Sequence, residues 1–141
     1  MRKRAAPRLP IKIARIDHIV LRVRDTARCI RFWRDVLGVT VERRRPGLGL
    51  VHLRAGASMI DLVDLNGPLG KVGGAGPRRK GGRNMDHVAL RIERFDEGKL
   101  RRHLTRFGID MGMPADRFGA DGDGPSVYIA DPEGNVIELK G

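Results

Sequence analysis

Two histidines and two carboxylates occupy equivalent places in a duplicated sequence. His18 lies in the segment 16–24 (IDHIVLRVR), and His87 lies in the similar segment 85–93 (MDHVALRIE). An Ile-acid-Leu sequence then closes each copy, with Asp61 as the acid in the first and Glu138 in the second. Neutral imidazole and carboxylate bind divalent first-row metals, and two histidines with one carboxylate form a recognised catalytic arrangement. The pattern therefore favours metal-dependent chemistry.

The strand pattern predicts that these groups face the same side of a sheet. Side chains alternate between the two faces of a strand, so His18 shares a face with Arg22, and His87 shares a face with Arg91. Glu138 lies on the polar face of the last strand by the same count. The alternate positions are apolar and are expected to pack under a helix: Ile19, Leu21, Val23, Val88, Leu90, Ile92, Ile137 and Leu139.

The duplicated segments mark the first strands of two modules with the order βαβββ. In the first module, Asp25 is the predicted N-cap of a helix that ends at Leu37 before Gly38, and Trp33 lies on its buried stripe. Strands are predicted at 16–24, 39–45, 48–54 and 58–65. In the second module, strands are predicted at 85–93, 109–111, 117–118, 126–130 and 136–140, with a helix over 96–107. The predicted fold class is α+β.

Composition divides the chain into a tail, two modules and a linker. Residues 1–13 are expected to form a flexible basic tail, and residues 14–141 to form a single domain. The segment 66–83 separates module one (14–65) from module two (84–141) and holds seven glycines, two prolines and five basic residues. Such a composition predicts a linker without packed structure. A lid that closes over an acidic substrate is the alternative.

The remaining composition narrows the class of protein. The single cysteine, Cys29, excludes an internal disulfide. The sequence holds no apolar run of about 18 residues and no secretory signal at its N-terminus, so a cytoplasmic protein without a membrane span is expected. The net charge is +11, but the arginines are scattered and aromatic residues are few. No specific nucleic-acid partner is therefore expected.

The motifs together resemble a known family. The two duplicated strands, the helical sequence 25–38 (DTARCIRFWRDVLG) and the closing sequence 126–139 (SVYIADPEGNVIEL) are similar to those of the vicinal oxygen chelate superfamily. That group includes glyoxalase I, methylmalonyl-CoA epimerase, fosfomycin-modifying enzymes, extradiol dioxygenases and bleomycin-resistance binding proteins. The resemblance implies two βαβββ modules that form an incomplete barrel around a metal-binding cavity. It also implies a homodimer, which would cover unpaired sheet edges.

The resemblance further implies a ligand set for a divalent metal ion, which would be Zn, Ni, Mn, Co or Fe. His18, His87 and Glu138 match the positions at which metal-dependent members carry their ligands. Asp61 matches the position of a fourth ligand, but it is one methylene shorter than the Glu or Gln found there. Asp61 is therefore either a ligand or an outer carboxylate that orients an imidazole or a water molecule.

Other polar residues have a functional and a structural interpretation. Tyr128 matches a tyrosine that faces a metal-bound oxygen in several members, and strand packing is its alternative role. Arg22 and Arg91 would bind a carboxylate or phosphonate of the substrate, or would form ordinary ion pairs with neighbouring strands. His52 and His103 have no such context and are interpreted as structural.

The implied function is that of a metal-dependent glyoxalase-like lyase or isomerase acting on a small, vicinally oxygenated metabolite. A divalent ion stabilises charge that develops on adjacent oxygens, and a carboxylate such as Glu138 would accept the proton that leaves. A fosfomycin-type thiol or epoxide-opening transferase and an Fe(II) extradiol dioxygenase are alternative enzymes. A metal-free binding protein of the bleomycin-resistance type is the alternative that is not an enzyme.

Overall fold

The computed structural model describes residues 10–77 and 83–141, which form two four-stranded mixed sheets. Module one consists of β1 (His18–Val23), helix α1 (Thr26–Arg31), β2 (Thr40–Arg45), β3 (Leu50–Ala55) and β4 (Ser58–Asp64). A short helix α2 (Pro68–Val72) follows. Module two consists of β5 (Val88–Arg91), α3 (Glu97–Arg106), β6 (Ala115–Gly119), β7 (Gly122–Ala130) and β8 (Val136–Lys140). The predicted α+β class with an open barrel is confirmed.

The two sheets have the same topology. Their strand orders are β1-β4-β3-β2 and β5-β8-β7-β6. In each sheet the first strand in the chain lies parallel to the last strand in the chain, so β1 pairs with β4 and β5 pairs with β8. The other pairs are antiparallel. In each module, therefore, the duplicated histidine begins or directly precedes a strand that lies beside the strand with the carboxylate: His18 begins β1, and His87 precedes β5.

The helix of module one begins as the sequence predicts and changes form in its second half. The Asp25 carboxylate accepts a hydrogen bond from the amide of Arg28 at 2.9 Å, which caps the first turn. After Arg31 the chain continues as a π-helical turn over Phe32–Val36, and Gly38 ends it with a φ of 71°. Trp33 is fully buried, as predicted.

The prediction that 66–83 lacks packed structure is wrong for its first part. Pro68 occupies the first turn of α2, where its missing amide hydrogen costs no helical hydrogen bond. Gly70 packs so closely on β4 that an added Cβ would lie 1.9 Å from the carbonyl oxygen of Asp64. The absent side chain is thus what allows this segment to pack. The basic residues Arg78, Arg79 and Lys80 lie outside the described residues.

Module two has one strand fewer than the sequence predicts. Residues 109–111 form no strand, because the amide of Ile109 bonds back to the carbonyl of Leu104 at the end of α3. The chain then crosses to β7, where the amide of Gly112 donates to the carbonyl of Tyr128 at 3.0 Å. Strand β7 is longer than predicted and begins at Gly122.

One apolar core joins the two modules. Leu53 and Leu62 of module one belong to the same buried cluster as Val127 and Ile137 of module two. The helices also meet, since Nε2 of His103 on α3 lies 2.7 Å from the carbonyl oxygen of Val36. Each sheet therefore buries one face, and its opposite face carries the histidine and the acid.

Among the described residues, no helix combines the length and the apolar character needed to cross a membrane.

Candidate metal site on the open sheet faces

His18 begins β1 and lies on the open face of the first sheet. Its Nδ1 lies 2.7 Å from a carboxylate oxygen of Asp17, and about half of its side chain is exposed. The hydrogen bond raises the pKa of His18 above its ordinary value and lowers that of Asp17. A carboxylate on Nδ1 fixes the orientation of the ring and directs Nε2 to any ligand.

Asp61 is paired with a histidine that the sequence analysis interpreted as structural. Strand register places Asp61 opposite Val20 on one side and His52 on the other, so the three share a face. Nδ1 of His52 lies 2.9 Å from Oδ1 of the buried Asp61. The register follows from the two-residue turn at Gly56, whose φ of 60° suits glycine. That turn was the signal that could have revealed the pair.

The second sheet brings His87 and Glu138 together. Nε2 of His87 lies 3.1 Å from Oε2 of Glu138, and Nδ1 lies 2.7 Å from a carboxylate oxygen of Asp86. Glu138 is buried, and its Oε1 has no hydrogen-bond partner among the residues that the structure describes. An unpaired buried carboxylate oxygen is costly unless a cation or a proton donor binds it.

A tight turn before β8 positions Glu138. The Asp131 carboxylate accepts hydrogen bonds from the amides of Glu133 and Asn135, at 2.9 and 2.8 Å. Burial raises the pKa of Asp131 above its usual range, while these hydrogen bonds oppose the rise. Gly134 has a φ of 78°, which confirms that the turn needs a positive φ at this glycine.

Tyr128 lies beside the second pair. It faces Glu138 across the ladder of β7 and β8, and its ring packs edge-on against His87 with the centroids 5.2 Å apart. The guanidinium carbon of Arg117 lies 4.5 Å from the centre of the same tyrosine ring. Arg117 was predicted only as a strand residue, because the sequence does not reveal which side chain lies opposite it.

The two arginines predicted to bind substrate have protein partners. The guanidinium of Arg22 donates to the carbonyl of Gly70 at 2.8 Å and also to that of Gly74, so it holds the segment after β4. Arg91 forms an ion pair with Asp121 at 2.9 Å. The ion-pair alternative that the sequence left open for Arg91 is therefore present, and a substrate role for either residue stays a prediction.

The four predicted ligands do not meet within one chain. Among residues 10–77 and 83–141, no three His, Cys, Asp or Glu side chains lie close enough together to hold a metal ion. The chain instead carries two partial sites, with His18 near the Asp61–His52 pair on one sheet and His87 with Glu138 on the other. A shared coordination sphere in the assembled protein stays a prediction.

The donors fit a divalent cation all the same. Each duplicated histidine has its Nδ1 bound by the preceding aspartate, so Nε2 is the nitrogen that can bind a metal ion. Imidazole nitrogens held in this way by carboxylates are usual in metal sites, and the free Oε1 of Glu138 would supply an oxygen ligand.

Comparisons with known proteins agree with the fold and with the duplicated strands. A family model for the Glyoxalase/Bleomycin resistance protein/Dioxygenase superfamily matches residues 15–139. Virulence protein STM3117 of Salmonella typhimurium is 32% identical over 133 residues, which cover 90% of this chain and 83% of that protein. The mitochondrial methylmalonyl-CoA epimerase of Mus musculus is 25% identical over 92% of this chain and 74% of its own.

A solved structure has the same fold. The integron cassette protein VCH_CASS1 from the mobile metagenome of V. cholerae superposes with a TM-score of 0.72 at 27% identity. The match covers 94% of this chain and 98% of the cassette protein. Both modules are therefore part of the shared architecture.

Proposed function

Because the chain belongs to the Glyoxalase/Bleomycin resistance protein/Dioxygenase superfamily, we propose that it is a metal-dependent lyase or isomerase of the glyoxalase type. Its substrate would be a small metabolite with oxygen atoms on adjacent carbons. The observation that carries the proposal is the His87–Glu138 pair, in which a buried carboxylate beside an imidazole has one oxygen without a partner in 10–77 and 83–141. A buried carboxylate oxygen without a partner is energetically costly, and a bound cation would remove that cost.

His18, His87 and Glu138 are the proposed ligands. A divalent ion bound there would stabilise negative charge on adjacent substrate oxygens, which makes a neighbouring carbon-bound proton easier to remove. We assign Glu138 as the base that accepts this proton, because Asp61 already binds His52 through Oδ1. Tyr128 packs on His87 and would hold its ring in place.

A second copy of the chain would complete the site. His18 is half-exposed, and Val20, which shares its face, is 50% exposed although it is apolar. We propose a homodimer in which the face with His18 meets the face with the partner's His87 and the partner's Glu138. Two such sites would follow from a two-fold axis, since each chain offers both faces.

The metal content tests this function. Protein purified without chelators would be analysed for bound metals, and then assayed with a panel of divalent ions and vicinally oxygenated substrates before and after chelation. We expect bound metal and an activity that chelation removes and metal restores. A protein that binds no divalent ion but binds a small molecule tightly would overturn the proposal in favour of a metal-free binding protein.

A further inference from the structure

Arg117 differs from Arg22 and Arg91 in the groups that hold it, an aromatic ring and a serine, and it keeps donors free for a ligand. It lies on β6, and its Nη1 donates to the carbonyl oxygen and to the hydroxyl of Ser126, both at 2.9 Å. A guanidinium has five N–H donors, so among the described residues the donors on Nε and Nη2 have no partner, and neither atom is buried. Arg22 and Arg91, in contrast, are engaged by backbone carbonyls and by Asp121.

A line of contacts joins Arg117 to the proposed metal site. Its guanidinium lies 4.5 Å from the centre of the Tyr128 ring, and that ring lies 5.2 Å from the ring of His87. Stacking on an aromatic face holds a guanidinium flat and directs its edge away from the ring. Arg117 is thus oriented by Tyr128 and Ser126, with a free edge on the same sheet face as Glu138.

The charge around this edge is positive. Lys140 shares the face, and its ammonium donates to the carbonyl oxygen of Gly141 at 3.2 Å. The ammonium also lies beside Gly124, the cross-strand neighbour of Arg117, because a Cβ at Gly124 would be 3.1 Å from Nζ. Within the described part of the chain, no Asp or Glu carboxylate lies within ion-pair distance of Arg117 or Lys140. A partly buried cation without a counter-charge attracts an anion.

We propose that Arg117 binds an anionic oxyacid group of the substrate, a carboxylate or a phosphonate, beside the metal-ligating pair. The inference rests on the proposed function, because it assigns the substrate class of the same site. A planar guanidinium matches either oxyanion with two parallel hydrogen bonds. The remainder of the substrate, with its adjacent oxygens, would then extend over Tyr128 towards His87 and Glu138.

The test uses methylphosphonate and acetate as probes and the intact, full-length protein. Binding of each anion is measured by calorimetry on metal-free protein, and by ³¹P or ¹³C line broadening on protein loaded with Mn²⁺. The variants are R117Q, R117K, and R101Q as a control, since Arg101 lies on α3 and pairs with Glu97. Unfolding curves verify that each variant is folded.

We expect R117Q to weaken binding of the preferred anion at least about tenfold, R117K to weaken it less, and R101Q to leave it unchanged. The probe that loses more affinity identifies the oxyacid, and broadening by Mn²⁺ places it next to the metal. Equal affinity in R117Q and wild type would overturn the inference. If the protein binds no metal while R117Q still weakens anion binding, the result contradicts only the metal-dependent function, and the anion site at Arg117 is supported.

Discussion

Nδ1 of His52 lies 2.9 Å from Oδ1 of Asp61, so the carboxylate assigned to a fourth metal position already holds an imidazole. This contact favours the outer-carboxylate interpretation of Asp61. We expect Asp61→Asn to keep most of the bound metal, because an amide oxygen can still accept the hydrogen bond from His52. Elemental analysis of the variant measures this.

Glu138→Gln is the matched control for that substitution. It makes the same chemical change on the equivalent strand of module two, but at a carboxylate whose buried Oε1 has no partner in the described part of the chain. We expect this variant to lose most of its metal. If Asp61→Asn loses as much metal as Glu138→Gln, then Asp61 is a ligand and the His52 contact is secondary.

A comparison of His87→Ala with Ile137→Ala tests whether His87 is a metal ligand or a structural residue. Ile137 is fully buried, so Ile137→Ala should lower the free energy of unfolding by about 2–5 kcal/mol. His87 lies on the partly exposed open face, and His87→Ala should change the stability of the metal-free protein by much less. Denaturant unfolding of both variants after chelation measures the difference. A comparable loss in His87→Ala would indicate that this histidine is structural.

The close packing of α2 on β4 gives a stability prediction. A Cβ at Gly70 would lie 1.9 Å from a backbone oxygen, so Gly70→Ala should destabilise the protein by about 1–3 kcal/mol. Gly47 has no atom near its Cβ position and no positive φ. Gly47→Ala is therefore the control and should be close to neutral in thermal unfolding. Equal stability of the two variants would contradict the packing described for α2.

The single cysteine should be unreactive in the folded protein. Burial raises the pKa of the Cys29 thiol to about 12, and the side chain is inaccessible. At pH 8 the folded protein therefore holds almost no thiolate, which is the form that reacts with disulfide reagents. Labelling should be slow without denaturant and fast with it, and absent in Cys29→Ser. Fast labelling under native conditions would show that α1 opens or that Cys29 is exposed.

The raised pKa of Cys29 also means that the free energy of unfolding should fall as the pH rises from about 9, where the thiol of the unfolded protein ionises.

The sequence predicted those parts of the site that depend on one strand or on the duplication. His18, His87 and Glu138 lie on open sheet faces because strand alternation and the repeat determine their positions. The His52–Asp61 pair depends on the register of a hairpin, which is set by a short turn and is easily misjudged by one residue. Stacking of Arg117 on Tyr128 depends on register in the same way.

Composition misled the prediction at the segment after β4. The glycines and prolines there suggested a linker, but Pro68 starts a helix and Gly70 permits contact with β4. Arg22 then binds the carbonyl oxygens that follow. A glycine-rich sequence is flexible only when nothing packs against it. The alternation pattern of β1 predicts the face on which Arg22 lies, but it does not predict that Arg22 binds this segment.

Bound metal in wild type, His18→Ala, His87→Ala and a coexpressed mixture of the two variants is the most direct test of the proposed site. We expect about one divalent ion per chain in the wild type and little in either variant. Because the two ligands lie on different partial sites, a heterodimer of the variants should regain about one intact site. Light scattering would verify that the species are dimers. Wild-type metal content in both single variants would contradict the metal site itself, and a mixture that regains no metal would contradict its assembly from two chains.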